Sequence, residues 1–238
     1  MIEHRPFKTL GSANHGWLDA HHHFSFASYH DPERVNWGSL RVWNDDTIQA
    51  GTGFPTHPHN DMEIITYVRK GAITHRDSMG NEGRTEAGDV QVMSAGSGIR
   101  HSEYNREDED TQIFQIWIIP EERGGEPAWG ARPFPKGDRA GAFVPLASGA
   151  ANDGASGDDG ALPIRTDARV LGATVKAGES ITYTTRDASR HLYLVPATGK
   201  VQIEDVEAEA RDGVAITHLE SVTITALEDS ELVLVDAA

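Results

Sequence analysis

Apolar and polar residues alternate along much of this chain in short runs with a period of two rather than 3.6. In the first half these runs are LRVWN (Leu40 to Asn44), EIITYV (Glu63 to Val68), AITHRD (Ala72 to Asp77), DVQVMS (Asp89 to Ser94) and QIFQIWII (Gln112 to Ile119). A two-residue period sends successive side chains to opposite faces, so each run predicts a strand with one face buried. Turn signals separate them: NDD at Asn44, RKG at Arg69, SMGNEG at Ser78 and EAGD at Glu86. Few segments hold a helical period.

From Ile164 the same rhythm returns in ARVLGATV, ESITYTT, HLYLVPATGKVQI, GVAITHL, SVTITAL and ELVLVD. Glycine turns recur in matching order, RKG (Gly71) and AGD (Gly88) in the first half, ATG (Gly199) and RDG (Gly213) in the second. The pattern predicts an all-β protein of two related β-domains in tandem. Between them, EERGGEPAWGARPFPKGDRAG reads as a crossover. ASGAANDGASGDDGA (Ala147 to Ala161), nearly free of bulky residues, is expected to be an exposed loop.

Composition narrows the functional classes. The absence of cysteine excludes a disulfide framework and a Cys-based zinc site. A formal net charge of −16 argues against a nucleic-acid partner. No apolar run approaches the roughly 20 residues that span a bilayer, and MIEHRPFKTL lacks the apolar core of a signal peptide. A cytoplasmic monomer with no membrane partner is expected.

The candidate chemistry lies in two stretches. FPTHPHNDMEIITY carries His57 and His59, and GIRHSEYN carries His101 and Glu103. Residues two apart on a strand share a face, about 6.6 Å from one another. Two such strands facing each other in a small barrel would converge three imidazoles and one carboxylate, a donor set suited to a divalent metal with positions left for water or substrate. Pro58 lacks an N–H and is expected at a strand start, an edge or a bulge. A lone H-x-H is more often surface chemistry. Its pairing with a second such spacing in a similar β context favours a metal site.

The first pair sits in G-x5-H-x-H-x3-E (Gly51, His57, His59, Glu63), closed by Gly71, which resembles the first cupin motif with one extra residue before the glycine. The second motif is matched at Gly88, Gly98, His101 and Asn105, with a longer middle and Gly96 where proline is usual. These departures resemble the pirin family, as do GFPTHPH, HRDSMGNEG, DVQVMSAGSGIRHSEYN, QIWIIP, HHFSFASYHDPE and DGALPIRTDARV. The resemblance covers nearly the whole chain. One departure is His21, where arginine often precedes the His-x-Phe-Ser-Phe segment.

The resemblance implies two tandem cupin barrels, each a double-stranded β-helix or jelly roll. A metal-binding domain would span 1–130, a crossover and loop 131–163, and a degenerate cupin 164–238. The family's metal ligands fall on His57, His59, His101 and Glu103, with Glu63 behind them orienting a histidine. In the second half Thr184 and Arg186 stand where the histidine pair would be, and His191 and His218 are isolated. One divalent metal is implied, iron first, with copper, nickel, cobalt, manganese or zinc also compatible. Quercetin 2,3-dioxygenase activity is known in this group, so a flavonol and O₂ are the expected substrates, with Glu103 as the base for the flavonol 3-hydroxyl. The alternative is a metal-dependent regulatory partner of other proteins.

Other features carry plainer expectations. His22 or His23 of the triple His21–His23 is expected near the site mouth, and EDED (Glu107 to Asp110) in a solvated loop. The five tryptophans are expected in the core, with Trp37 or Phe54 able to line a cavity. GTGF lacks the context of a phosphate loop.

Overall fold

Strands dominate because the period-two pattern is met almost everywhere by a partner sheet. The computed structural model describes residues 1–150 and 160–238. Among these are twenty-two strands, two 3-10 turns (Phe7–Thr9 and Lys136–Arg139) and no α-helix. They form four sheets in a repeated arrangement of seven strands facing four.

In the first barrel the seven-stranded sheet runs Ala128–Arg132, Val90–Ser94, Glu63–Lys70, Thr111–Ile118, Leu40–Ile48, Leu18–His22, Gly11–Asn14. Its four-stranded partner runs Gly53–His59, Ile99–Tyr104, Ala72–Asp77, Glu82–Glu86. In the second barrel the larger sheet runs Ile2–Arg5, Gly213–Ile216, His191–Thr198, Ser230–Ala237, Ala168–Val175, Val144–Ser148, Leu162–Pro163. Its partner runs Ser180–Thr184, Ser221–Ala226, Lys200–Ile203, Val206–Glu209. Both halves are cupin barrels, as the tandem β-rhythm predicts.

Backbone pairing crosses the expected division at several strands. The N-terminal strand Ile2–Arg5 pairs antiparallel with Gly213–Ile216 of the second barrel. Val144–Ser148, inside the expected crossover, pairs with Ala168–Val175. We propose that 1–130, 131–163 and 164–238 describe where the two barrels and their connection lie, with both of these strands joining the second barrel. Of the stretch expected as an exposed loop, Ala147 and Ser148 instead end a strand and are buried, while 151–159 lie outside the described residues.

The turn expected at NDD does not form. Leu40–Ile48 is one nine-residue strand, paired through Asn44↔Gln115, Asp45↔Phe114 and Asp46↔Ile113. Tertiary partners outweigh the turn preference of these residues. The Asp45 carboxylate accepts from Arg69 of its own barrel and from Arg211 Nε of the other at 2.6 Å. Asn44 Oδ1 lies 2.9 Å from His22 Nδ1.

The two seven-stranded sheets pack back to back. Trp43, Ile65, Tyr67, Phe114 and Ile116 of the first barrel share one core with Leu146, Val170, Tyr193, Val195 and Val233 of the second. A polar cluster crosses this interface: Arg139 Nη2 donates to Tyr67 Oη at 3.0 Å and to Glu231 Oε1 at 3.1 Å, and Lys136 Nζ donates to Glu231 Oε2 at 2.5 Å. Gly213 marks a close approach, since a Cβ there would lie 2.0 Å from Tyr193 Oη.

The barrel interiors differ in kind. The second is lined by aliphatic side chains including Leu171, Ile181, Leu194, Val201, Val222 and Ile224. In the first, Thr66, Gln91, Glu103 and Gln115 are buried and bonded together. The second interior also holds a buried carboxylate, Asp236, but it accepts from Tyr183 Oη at 2.6 Å and from Arg190 Nε at 2.5 Å.

Candidate metal centre

The site grows from cross-strand registry in the four-stranded sheet. Gly53–His59 is its edge strand and carries Pro55 and Pro58 where missing N–H groups interrupt no ladder on the open side. The register against Ile99–Tyr104 shifts between His101↔His57 and Glu103↔Phe54, a bulge in this edge strand. Pro58 thus sits on an edge, as expected, beside a bulge. On its other side the strand bearing His101 pairs with Ala72–Asp77 through His101↔Asp77 and Glu103↔His75. Directly opposed residues bring their side chains within contact distance. One row therefore reads His57, His101, Asp77, and the next sets Glu103 against His75.

Three imidazoles meet. The ligand-capable atoms of His57, His59 and His101 all lie within 4.8 Å of one another, and His57 Nε2 and His101 Nε2 are 3.0 Å apart. Two imidazoles bound to one metal at about 2.1 Å and a right angle would hold their nitrogens about 3.0 Å apart. His57 Nδ1 donates to the Pro55 carbonyl at 2.7 Å, which leaves its Nε2 lone pair directed at His101. The donor set fits a divalent cation.

Burial favours the neutral form of His59 and His101. Burial, then the neighbouring His101 and His57, lower His59 to about 4. Burial, then His57 and His75, lower His101 to about 3. Neutral imidazole is the ligating form.

Glu103 stands slightly apart from the His57–His59 pair. It falls in an overlapping group with His101 and His75, again within 4.8 Å. Its Oε1 accepts from Gln91 Nε2 at 2.6 Å and Thr66 Oγ1 at 3.2 Å, and its Oε2 from Gln115 Nε2 at 2.8 Å. A carboxylate offers about four acceptor positions. Oε2 accepts one of these bonds and keeps a lone pair for a cation or a proton.

Glu63 does not orient a histidine. Its Oε2 accepts from Ser94 Oγ at 2.6 Å, and the Arg165 backbone N–H also bonds it. The reason is strand parity: Ile65 and Tyr67 on its strand join the inter-barrel core, whereas Thr66 on the other face reaches Glu103.

The aromatic surroundings also depart from expectation. Trp117 meets His59 edge-on at 4.9 Å and Phe26 at 5.4 Å. Trp129 stacks on His75 at 4.8 Å with rings 9° from parallel. Phe54 lies 6.4 Å from His57 and contacts Trp17. Trp37 is remote, donating to the Leu192 carbonyl at 3.0 Å. Of the pair expected near the mouth, His23 is buried between the barrels, 2.9 Å from Tyr193 Oη, whereas His22 packs against Phe26, whose ring meets Trp117.

The sequence reading missed His75, Asp77, Gln91, Gln115 and Asp46. Asp46 is pushed well above the ordinary carboxylate range by burial, then by the charges of Asp45 and Glu103. HRD carries the same i, i+2 spacing as His101 and Glu103, His75 with Asp77, within the alternation of AITHRD that turns it inward. A cleft of about 440 Å³ borders His59, lined also by Pro58, Asp61, Ser97, Ile99 and Arg100. A larger one, about 840 Å³, has no histidine in its lining and lies beside Arg165 and Arg186. Of the three convergent histidines, His59 is the one that lines the smaller cleft.

In the second barrel the corresponding place is filled differently. Thr184 is exposed at a strand end, Arg186 pairs with Asp167, and His191 contacts Trp37 edge-on at 5.2 Å.

Comparison with known proteins agrees with this architecture. Residues 3–118 match the Pirin family model, and residues 153–237 match the quercetinase C-terminal cupin domain. A pirin-like protein of Caulobacter vibrioides is 66% identical over the full length of both chains. The quercetin 2,3-dioxygenase of Escherichia coli K12 is 43% identical, over 99% of this chain and 98% of that protein. The crystal structure of the bacterial pirin YhhW from Escherichia coli, in complex with nickel(II), superimposes with a TM-score of 0.91 at 41% identity, covering 100% of this chain and 99% of that one. Sequence, fold and the converging histidines agree: the chain belongs to the pirin family.

Proposed function

We propose that the protein is a metal-dependent dioxygenase that opens the central ring of a flavonol such as quercetin with O₂ and releases CO. The observation that carries this reading is the convergence of His57, His59 and His101 beside a buried carboxylate, in a barrel whose relatives include a quercetin 2,3-dioxygenase.

His57, His59, His101 and Glu103 would hold one divalent ion, iron first. When bound, the ion supplies a Lewis acid and an open position where the flavonol 3-oxygen and O₂ are brought together. Glu103 takes the proton of the 3-hydroxyl on the Oε2 position its neighbours leave open. Gln115 holds that oxygen in place and is itself aimed by Trp117, whose Nε1–H donates to Gln115 Oε1 at 3.2 Å. Trp117 and Phe26 on one side, and Phe54 with Trp17 on the other, offer flat apolar faces beside the histidines. The cleft beside His59 lies within the about 300–1,000 Å³ usual for small-molecule sites.

Oxygen uptake by iron-reconstituted protein on adding quercetin, with CO measured in the headspace, tests the reading. Uptake that matches quercetin loss, yields CO and vanishes in His59→Ala is the expected result. Protein that binds iron yet consumes no oxygen with quercetin would overturn it in favour of a metal-dependent regulatory role.

A further inference from the structure

Behind the histidines proposed as ligands runs a second line of buried polar groups. His101 turns Nε2 toward His57 and Nδ1 toward His75, whose Nδ1 is 3.4 Å away. The other nitrogen of His75, Nε2, lies 3.0 Å from Asp77 Oδ2. Asp77 is held in turn: its Oδ1 accepts from the backbone N–H of Met79 at 2.9 Å and of Asn81 at 3.1 Å, and its Oδ2 from Asn81 Nδ2 at 2.9 Å. Trp129 covers the His75 ring, and Gly83 makes room for it, since a Cβ there would lie 2.2 Å from the indole.

We propose that Asp77 and His75 form a relay that sets the tautomer of His101, making His75 a positioning residue for the metal centre. The logic is one of donors and acceptors. A carboxylate already bonded by three N–H donors accepts from His75 Nε2–H. In a neutral ring the proton on Nε2 leaves a lone pair on Nδ1. That lone pair accepts the Nδ1–H of His101, so His101 Nε2 carries its own lone pair into the site. His57 is set the same way by the Pro55 carbonyl. Two lone pairs then face each other across 3.0 Å, an arrangement that a shared cation resolves.

His75, His101 and Glu103 also meet the distance requirement for a second metal site. Their hydrogen bonds argue for the relay instead. His75 Nε2 is occupied by Asp77, its Nδ1 faces a nitrogen of His101, and three of the acceptor positions of Glu103 are taken.

The inference rests on His101 as a metal ligand, and the experiment separates the two. Nickel(II) binding is titrated in wild type, His75→Phe, His75→Gln and Asp77→Asn. The zinc-loaded proteins, being diamagnetic, are read by NMR for scalar coupling between His101 Nδ1 and His75 Nδ1 across their hydrogen bond. Loss of an outer partner of a ligating histidine typically costs about 10–100-fold in metal affinity. His75→Phe is expected to show that loss. His75→Gln, whose amide can accept from His101 and donate to Asp77, is expected to recover most of it. Asp77→Asn is expected to bind more weakly, because an amide can donate to His75 Nε2 and so reverse the relay, leaving the shared proton on His75 Nδ1 and the lone pair of His101 on Nδ1. Wild type that binds no nickel would remove the ligand assignment itself. Wild type that binds nickel but shows no coupling, or His75→Phe that binds as tightly, would overturn the relay alone.

Discussion

His57 and His101 face each other through their Nε2 atoms at 3.0 Å, from strands paired so that the two residues lie directly opposite. Neither residue is close to the other in sequence. Their meeting depends on the antiparallel register of Gly53–His59 with Ile99–Tyr104, interrupted by a bulge just beyond the pair. This contact is the centre of the proposed site.

The first prediction concerns the ligands. Replacing His57 with Ala removes one of three convergent nitrogens from a half-buried position. Nickel(II) affinity, measured by calorimetry, should fall by more than the roughly 100-fold upper range for losing an outer partner. The apo protein should keep its unfolding midpoint to within experimental error, and a midpoint that drops sharply would make His57 a structural residue.

Glu103→Gln keeps the size of the side chain but places an amide N–H₂ among the donors Gln91, Gln115 and Thr66. Loss of a positioned base costs roughly 10²–10⁴-fold in rate. Oxygen uptake with quercetin by the iron-loaded variant should fall within that range. A turnover number within threefold of wild type would sink the base assignment.

A pH effect follows from His23. Burial, then the charges of Arg5, Arg34 and Arg211, hold its folded form well below the ordinary value of 6.5. Its unfolded form therefore binds a proton that the folded form refuses once the pH drops below 6.5. Stability should decline as pH falls from that value, by at most about 1.4 kcal/mol per pH unit for one proton. Urea unfolding of wild type and His23→Gln between pH 7.5 and 5 isolates the term, because all other titrating groups are shared. Parallel curves would show that His23 contributes nothing.

Glu231 tests the inter-barrel contact independently of the site. It is buried against Arg139, which is 1% exposed, with Tyr67 and Lys136 as further partners. Removing one partner of a buried ion pair costs about 3–5 kcal/mol because the other charge is left uncompensated. Glu231→Ala should lose stability on that scale in urea unfolding, with nickel affinity unchanged. Weakened nickel binding in a folded variant would instead reveal coupling between the barrels.

Much of the fold was legible locally. Alternation in EIITYV, AITHRD and QIFQIWII marked strands that form with similar bounds, and the repeated order of glycine turns marked two related barrels. NDD shows where local reading failed. Asn44, Asp45 and Asp46 favour a turn in isolation, yet Asp45 is neutralised by Arg69 and Arg211, the second of which lies in the other barrel. No window of sequence contains that partner.

The site divides along the same line. By itself the sequence determined that His57 shares a strand face with His59, and His101 with Glu103, because a period of two is a local property of the backbone. It also determined that the second barrel lacks the histidine pair. Tertiary structure alone decided that His101 opposes His57 on one side and Asp77 on the other, that Thr66 rather than Glu63 reaches Glu103, and that Gln91 and Gln115 occupy most of that carboxylate. Register and strand parity join residues distant in the chain, and a one-residue change in either sends every side chain to the opposite face.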